Sequence, residues 1–278
     1  MGMDKPNRRT EIKLQPPSYA SDKYIGFGLY GRIALLRDDP SRVFKFCEPD
    51  NRDGVETIER EKKILTILGA HPFIIQLHWL SDRGLCFEYY PLGSLRTYYH
   101  AELPSLPEIT TRIRWCRQVA EGIAYIHSKG IVHNDIGARN VLLSSSMDIK
   151  ICDFGFATQV GEKVLCVPET RYSRCCLGPS HAHFRDDIFG VGSLFYEILR
   201  GVQPYQDVES AEVHKLFESL VFPPLDCMRP DYFAEVIEKC WHTGYNSAAD
   251  LQNDLNRFPS CNLDTCLPAA DFQETNQE

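Results

Sequence analysis

Two short segments near the middle of the chain carry the residues with the clearest chemical potential. Residues 133–140 read His-Asn-Asp-Ile-Gly-Ala-Arg-Asn, and Asp-Phe-Gly at 153–155 begins 13 residues after Asn140. Asn140 and Asp153 carry side-chain oxygens of the type that Mg²⁺ prefers as ligands. Asp135 supplies a further carboxylate, which could accept the proton of a hydroxyl group. The pattern therefore predicts oxygen ligands for Mg²⁺ together with a general base.

A glycine-rich stretch lies closer to the start of the sequence. Residues 26–31 read Gly-Phe-Gly-Leu-Tyr-Gly, and a predicted strand follows them over 32–36. A dinucleotide-binding turn would lead into a helix instead, so that interpretation fails. Backbone N–H groups of a glycine hairpin can approach phosphate oxygens without obstruction by side chains. Taken alone, the motif is weak evidence for phosphate binding, and a tight hairpin that binds no ligand is the more common explanation.

Lys45 stands in an apolar strand, between Val43-Phe44 and Phe46. A lysine buried in such a strand is costly unless an anion compensates its charge. Glu61, on the following predicted helix, is the best candidate for that anion, with nucleotide phosphates as a second. A lysine at a strand edge that reaches water is the alternative.

Strands and helices must position these groups. Before residue 90, short β-branched or aromatic runs bounded by turn residues indicate strands at 33–36, 42–46, 75–80 and 85–89. Apolar residues at helical spacing predict helices over 55–68 and 107–129, and residues 187–200 are apolar on nearly every side, as in a buried helix. We therefore predict an α+β protein with four parts: an irregular arm over 1–23, a sheet-rich lobe over 24–90, a helical lobe over 91–258 and an unstructured tail over 259–278.

Composition narrows the class of protein. The 278 residues are 43% hydrophobic and 24% charged, which is ordinary for a globular protein. The net charge of −8 disfavours binding to nucleic acid or to anionic membranes, because both require a basic surface. The 11 cysteines contain no Cys-x-x-Cys pair, so neither a zinc site nor a disulfide framework is indicated. The polar first ten residues resemble neither a signal peptide nor a membrane anchor, so we expect a cytoplasmic or nuclear protein.

The ordered set of motifs resembles the protein kinase superfamily. The resemblance runs from about Tyr24 to Leu255, and the loop Asp135–Asn140 is similar to that of tyrosine kinases. It implies a bilobal kinase fold, ATP and Mg²⁺ as cofactors, and a role in signal transduction. The implied reaction transfers the γ-phosphoryl group of ATP to hydroxyl groups of a protein substrate. A monomer is the expected oligomeric state.

The resemblance also implies roles for the matching residues. Asp135 would be the catalytic base, assisted by Arg139, and Asp187 would anchor the loop that carries them. Lys45, paired with Glu61, would hold the α- and β-phosphates, while Asn140 and Asp153 would bind Mg²⁺. The glycine loop would cover the phosphates, and residues 87–90 would form the hinge beside adenine, with Phe87 as gatekeeper. The implied nucleotide contacts other than Lys45 are Ile25, Gly26, Gly28, Gly31, Ile33, Val43, Phe87, Glu88, Tyr90 and Leu142.

The sequence departs from the family pattern at three places. Asn134 replaces the arginine that pairs with a phosphate on the activation loop, so control by that route is not expected. The closing Ala-Pro-Glu is missing or displaced: Cys175 stands near the expected glutamate, and Pro168-Glu169 fits only with an insertion. The arginine partner of that glutamate is also not found. Gly137 replaces the lysine of serine/threonine kinases, whereas Arg139 resembles the tyrosine-kinase loop, so the acceptor type stays open.

Three functions remain. An active protein kinase is the first hypothesis, because the predicted catalytic and metal-binding residues are all present. A pseudokinase that acts as a nucleotide-binding scaffold is the second, motivated by the altered activation segment. A small-molecule phosphotransferase is the third, since His-x-Asp-x₄-Asn also occurs in such enzymes; the Asp-Phe-Gly motif, the glycine hairpin and the predicted helix at Asp187 argue against it.

Overall fold

The computed structural model describes most of the chain between residues 20 and 258, with side chains described from Lys23 onward. The predicted tail, residues 1–19 of the predicted arm, Leu29 and Cys175 lie outside this part. The chain divides into two compact units. The first contains residues up to 62 and residues 76–89, and the second contains residues 63–75 and those from 90 onward. The described ranges are 20–28, 30–81, 84–101, 106–166, 168–174, 181–226 and 228–258.

The first unit is built on a five-stranded antiparallel sheet. The strands are β1 (Ala20–Phe27), β2 (Arg32–Leu36), β3 (Arg42–Phe46), β4 (Leu77–Ser81) and β5 (Gly84–Glu88). Their spatial order is β1-β2-β3-β5-β4. The four strands predicted from composition are confirmed to within two residues. The arm prediction is wrong for residues 20–23, because β1 begins at Ala20 and pairs with β2 as far as Leu36.

The helix α1 (Arg52–Leu68) follows β3 and begins three residues before the predicted start. Asn51 explains the difference, because its side-chain oxygen accepts a hydrogen bond from the backbone amide of Gly54 at 2.9 Å. Asparagine is among the residues that favour this capping position. The apolar pattern alone identified most of α1 but not its first turn, and Val55, which belongs to that pattern, is exposed.

The second unit is mainly helical. Its helices are α2 (Leu95–His100), α3 (Ile109–Ser128), α4 (Phe184–Arg200), α5 (Ser210–Glu218), α6 (Tyr232–Trp241) and α7 (Ala248–Asn256). Two small antiparallel sheets of two strands supplement them, formed by β6 (Ile131–Val132) with β9 (Thr158–Gln159) and by β7 (Val141–Leu143) with β8 (Ile149–Ile151). Together with the sheet of the first unit, these elements confirm the predicted α+β class.

The helix α4 forms the centre of the second unit and packs against α3 and α6. Every residue from Asp187 to Leu199 is buried, as the sequence predicted for a helix without a polar face. Burial of a large apolar side chain such as Phe195 contributes about 1.5–3 kcal/mol. Gly201 ends the helix with φ 74°, a left-handed conformation that glycine adopts without steric cost. Within the described part of the chain, no helix combines the length and the apolar character needed to cross a membrane.

Candidate active site

The glycine stretch forms the predicted hairpin between β1 and β2. The backbone amide of Gly28 donates to the carbonyl oxygen of Gly31 at 2.9 Å and closes the turn. A Cβ atom on Gly31 would lie 3.2 Å from the carbonyl oxygen of Phe46 and 3.9 Å from side-chain carbons of Lys45. Such a contact is tighter than most, so glycine allows the hairpin to run close to Lys45.

Lys45 and Glu61 form the ion pair predicted from the sequence. The Nζ atom of Lys45 lies 2.7 Å from the Oε2 atom of Glu61. The Glu61 side chain is 1% exposed and that of Lys45 is 14% exposed, so water screens this pair weakly. A buried carboxylate on α1 thus fixes the ammonium group on β3, and neither charge is left uncompensated.

The other predicted nucleotide contacts are distributed over both units. Val43 on β3 lies opposite Phe87 on β5, and both side chains are buried. In the first unit, Ile25 and Gly26 are on β1, Ile33 on β2 and Glu88 at the end of β5. Tyr90 and Leu142 belong to the second unit, where Leu142 is the central residue of β7.

A buried carboxylate on α4 anchors the loop that contains Asp135. Asp187, 2% exposed, accepts hydrogen bonds from the backbone amides of His133 at 2.7 Å and Asn134 at 2.9 Å. The Nε2 atom of His127 on α3 lies 2.9 Å from its Oδ2 atom. Asp187 stands in the first turn of α4, where the helix dipole favours a negative charge. The anchoring predicted for Asp187 is therefore present.

His133 links this loop to the segment that follows β8. Its Nε2 atom lies 3.1 Å from the carbonyl oxygen of Cys152, and its Nδ1 atom lies 3.3 Å from the backbone amide nitrogen of Asp135. A carbonyl oxygen can only accept and an amide N–H can only donate. These partners therefore assign the ring proton to Nε2 and make Nδ1 an acceptor that orients Asp135.

The carboxylate of Asp135 is held by two neighbouring side chains. Arg139 donates through Nη2 to Oδ1 at 2.6 Å, and Asn140 donates through Nδ2 to Oδ2 at 2.9 Å. The same amide nitrogen of Asn140 also donates to the backbone oxygen of Asp135 at 2.7 Å. Because a carboxylate offers about four lone-pair sites, both oxygens keep capacity for a further proton donor.

Pairing of β7 with β8 places Asn140 and Asp153 at the same end of this hairpin. Val141, directly after Asn140, pairs with Ile151 across β7 and β8. The backbone amide of Cys152, directly before Asp153, donates to the carbonyl oxygen of Asn140 at 2.9 Å. The side-chain nitrogen of Asn140 donates to Asp135, so its side-chain oxygen is the atom that could serve as a metal ligand. A carboxylate and an amide oxygen suit a hard divalent cation such as Mg²⁺.

The side-chain amide of Asn134 is engaged by residues that follow Asp153. Its Nδ2 atom donates to the carbonyl oxygen of Phe156 and to the Oγ1 atom of Thr158, both at 2.9 Å. Two arginines of the activation segment, which is the part of the chain between Asp153 and Asp187, also have protein partners. Arg171 donates to the backbone oxygen of Tyr205 at 3.1 Å, and Arg174 pairs with Asp186 at 3.7 Å.

Sequence reasoning missed Arg96 on α2. Its Nη1 atom lies 3.2 Å from Oε1 of Glu169, and its Nε atom lies 3.1 Å from Oε1 of Glu197 on α4. No local pattern reports these pairs, because the partners are 73 and 101 residues apart. Glu197 was the available signal, since a carboxylate in a fully buried helix requires a cation. Glu169 belongs to Pro168-Glu169, the possible displaced form of the Ala-Pro-Glu motif. It thus has an arginine partner that the sequence analysis did not identify.

Comparisons with known proteins agree with this geometry. The family model for "Protein tyrosine and serine/threonine kinase" matches residues 22–255. Mitogen-activated protein kinase kinase kinase 7 of Drosophila melanogaster is 30% identical over 237 residues, which cover 79% of this chain and 34% of that protein. A probable serine/threonine-protein kinase of Dictyostelium discoideum is 28% identical over 272 residues, which cover 90% of this chain and 29% of that protein.

A third relative is closer in length. The probable cAMP-dependent protein kinase catalytic subunit of Encephalitozoon cuniculi is 27% identical over 251 residues, which cover 84% of this chain and 73% of that protein. By contrast, the match spans only about a third of the length of the Drosophila and Dictyostelium relatives. The family model covers well over half of the chain. The chain belongs to the protein tyrosine and serine/threonine kinase family.

Proposed function

We propose that this protein is an ATP-dependent protein kinase that transfers the γ-phosphoryl group of ATP to a Ser, Thr or Tyr hydroxyl of a protein substrate. The observation that carries the proposal is the fixed carboxylate of Asp135, oriented by Arg139, Asn140 and the amide contact to His133. The kinase names of the relatives support the same reaction class.

Asp135 acts as the general base in this proposal. Its Oδ1 and Oδ2 atoms each accept one hydrogen bond, so a substrate hydroxyl can donate to a remaining lone pair. Arg139 and Asn140 hold the carboxylate in one orientation, which favours proton transfer along a fixed direction. The amide contacts to Asp187 keep the loop in place during the reaction.

Lys45 binds phosphate oxygens of ATP in this proposal. Glu61 keeps the Lys45 ammonium in one position, and Gly31 adds no Cβ atom where the hairpin approaches Lys45. The remaining nucleotide contacts are those proposed from the sequence: Ile25, Gly26, Gly28, Gly31, Ile33, Val43, Phe87, Glu88, Tyr90 and Leu142.

Asn140 and Asp153 are the residues that would hold Mg²⁺. Their oxygens fit a hard cation, and the hydrogen bonds of the Asn140 nitrogen to Asp135 leave the oxygen as its metal-facing atom. When bound, Mg²⁺ would neutralise charge on the phosphates. Asp153 has φ 64°, a left-handed conformation that is uncommon for a residue with a side chain and that is concentrated at functional sites.

A nucleotide-binding scaffold without transfer activity is the second candidate. The altered activation segment favours it, since no Ala-Pro-Glu follows Asp153 in the sequence. The two candidates differ in one measurable respect, which is whether phosphate leaves ATP for a protein acceptor.

The test is incubation of the purified protein with γ-labelled ATP, Mg²⁺ and a mixture of Ser, Thr and Tyr peptides, followed by phosphoamino-acid analysis. We expect label in peptide hydroxyls, and the labelled amino acid identifies the acceptor type. ATP binding without label in any peptide would favour the scaffold. Label in small alcohols but not in peptides would favour a small-molecule phosphotransferase.

A further inference from the structure

Four charged side chains form a series of ion pairs that runs from the buried helix α4 to Asp135. They are Glu197, Arg96, Glu169 and Arg139. Glu197 is 2% exposed and accepts hydrogen bonds from Arg96 and from the hydroxyl group of Tyr172. Arg96 also donates to that hydroxyl oxygen at 2.9 Å. Burial raises the pKa of Tyr172 well above its usual range, so the hydroxyl remains a donor to Glu197. Arg96 is therefore fixed by groups in the interior of the second unit.

Glu169 is the next residue in this series of ion pairs. Its Oε1 atom lies 3.2 Å from Nη1 of Arg96 and 3.2 Å from Nε2 of Gln203, and its Oε2 atom lies 3.4 Å from Nη1 of Arg139. The side chain is 23% exposed. One carboxylate thus bridges two guanidinium groups, and an amide supports it from a third direction.

Arg139 depends on a second partner for a fixed position. Its side chain is 45% exposed, and isolated ion pairs at that exposure contribute only about 0–1 kcal/mol. Contact with Asp135 alone would therefore leave the guanidinium free to adopt other rotamers. Arg139 binds Asp135 through Nη2 and Glu169 through Nη1, so the two carboxylates hold the planar group from two sides.

We propose that Glu169 is a positioning residue for phosphoryl transfer: its carboxylate connects Arg96 to Arg139 and so holds Arg139 against Asp135. The contacts of Glu169 with Arg96 and Arg139 are made by side chains of the protein itself, so the arrangement forms without a phosphate. The inference rests on the proposed kinase reaction, because it assigns Glu169 an effect on the turnover of Asp135.

The test compares Glu169→Gln, which removes the charge, with Glu169→Asp, which keeps the charge on a shorter side chain. Glu212→Gln is the matched control, because Glu212 forms an exposed ion pair with Lys215 in the same unit. The measurements are kcat and the KM for peptide and ATP, the thermal midpoint, and the NMR linewidth of the Arg139 guanidinium signal in each intact protein.

We expect Glu169→Gln to lower kcat by about 10- to 100-fold, since small displacements at a reacting group have effects of this size. The KM for ATP and the thermal midpoint should match those of the control, and Glu169→Asp should recover part of the lost rate. If Glu169→Gln does not fold, the lowered kcat of Glu169→Asp relative to wild type is the supporting result.

The inference is overturned if every Glu169 variant that folds has the kcat of the control, or if only the thermal midpoint falls. If wild-type protein transfers no phosphate, the proposed function fails, and the guanidinium signal decides the inference separately. A narrower Arg139 signal in a Glu169 variant, from faster guanidinium motion, supports the positioning role, whereas an unchanged signal contradicts it.

Discussion

The Nζ atom of Lys45 lies 2.7 Å from the Oε2 atom of Glu61, whose side chain is 1% exposed. The ion pair connects β3 to α1 through two opposite charges that are largely shielded from water. Removal of one partner would leave the other buried without compensation, which typically costs 3–5 kcal/mol in proteins, as an order of magnitude. The two residues should therefore behave as one functional group.

Substitution of this pair gives the first prediction. Lys45→Met and Glu61→Gln should each lower kcat/KM by a similar factor, and the double variant should lose clearly less than the sum of the two effects, because both act on the same phosphates. Steady-state kinetics of the three variants checks this. The exposed pair Glu59 and Lys62 on the same helix is the control, and its substitutions should be additive and small. Full additivity for Lys45 and Glu61 would show that Glu61 is an independent helix charge.

The second prediction concerns phosphorylation of the activation segment. The Asn134 amide is committed to Phe156 and Thr158, so we expect the unphosphorylated protein to be competent. Phosphatase treatment should change the peptide phosphorylation rate by less than about threefold, or roughly 0.7 kcal/mol on the barrier. A loss of about a hundredfold that Thr170→Ala or Ser173→Ala reproduces would show that another cation binds a phosphate there.

The third prediction tests the anchor of the catalytic loop. Asp187→Asn removes the charge and replaces one of the two acceptor oxygens by an amide N–H₂, which then faces a backbone N–H donor, and we expect it to lower the free energy of unfolding by about 3 kcal/mol or more. Denaturant titration measures this value. Asp186→Asn is the neighbouring control, and its loss should stay near about 1 kcal/mol, because Asp186 pairs with Arg174 at only 3.7 Å. Equal losses for the two variants would contradict the anchoring role.

The fourth prediction is a pH dependence of stability at Asp254, which ties α7 to α6. Burial alone would raise the pKa of Asp254, but hydrogen bonds from Tyr245 at 2.7 Å and Lys239 at 3.0 Å outweigh it and lower the pKa below its usual value. The folded chain therefore binds fewer protons here than the unfolded chain. The stabilisation is complete above the unfolded pKa of about 3.9 and is lost as the pH falls through the lower folded pKa.

Asp254→Asn should accordingly lower the free energy of unfolding more at neutral pH than at about pH 2, which lies well below the unfolded pKa and where wild type has lost part of this charge-dependent stabilisation. Denaturant titrations of both proteins at the two pH values provide the comparison. Asp207→Asn, an exposed position, should show little effect at either pH. A loss from Asp254→Asn that is the same at both pH values would contradict the charge-dependent role.

Local patterns in the sequence predicted much of the fold. The helix α4 was recognised because apolar residues on all sides can be accommodated only in an interior, and Lys45 was recognised because its apolar neighbours imply a buried strand. The start of β1 at Ala20 escaped prediction, because residues 20–23, Ala-Ser-Asp-Lys, carry no alternating apolar pattern. Their strand conformation depends on pairing with β2, which composition does not report.

The candidate site shows the same division. Asp135, Arg139 and Asn140 lie within six residues of one another, so their contacts follow from one loop. Glu169 and Arg96 meet only because α2 and the activation segment fold onto the same part of the second unit. An ion pair between distant residues depends on tertiary packing, and a single sequence contains no periodicity that specifies it.

The central claim is that Asp135 is the base for phosphoryl transfer, and Asp135→Asn tests it most directly. The variant should lose about 10²- to 10⁴-fold in kcat at saturating ATP and peptide, the usual contribution of a positioned base. Its ATP affinity should equal that of wild type and of the exposed control Asp231→Asn, since in the proposed reaction Asp135 contacts the acceptor hydroxyl and not the nucleotide. A variant that loses ATP binding but keeps the wild-type rate at saturation would contradict the account.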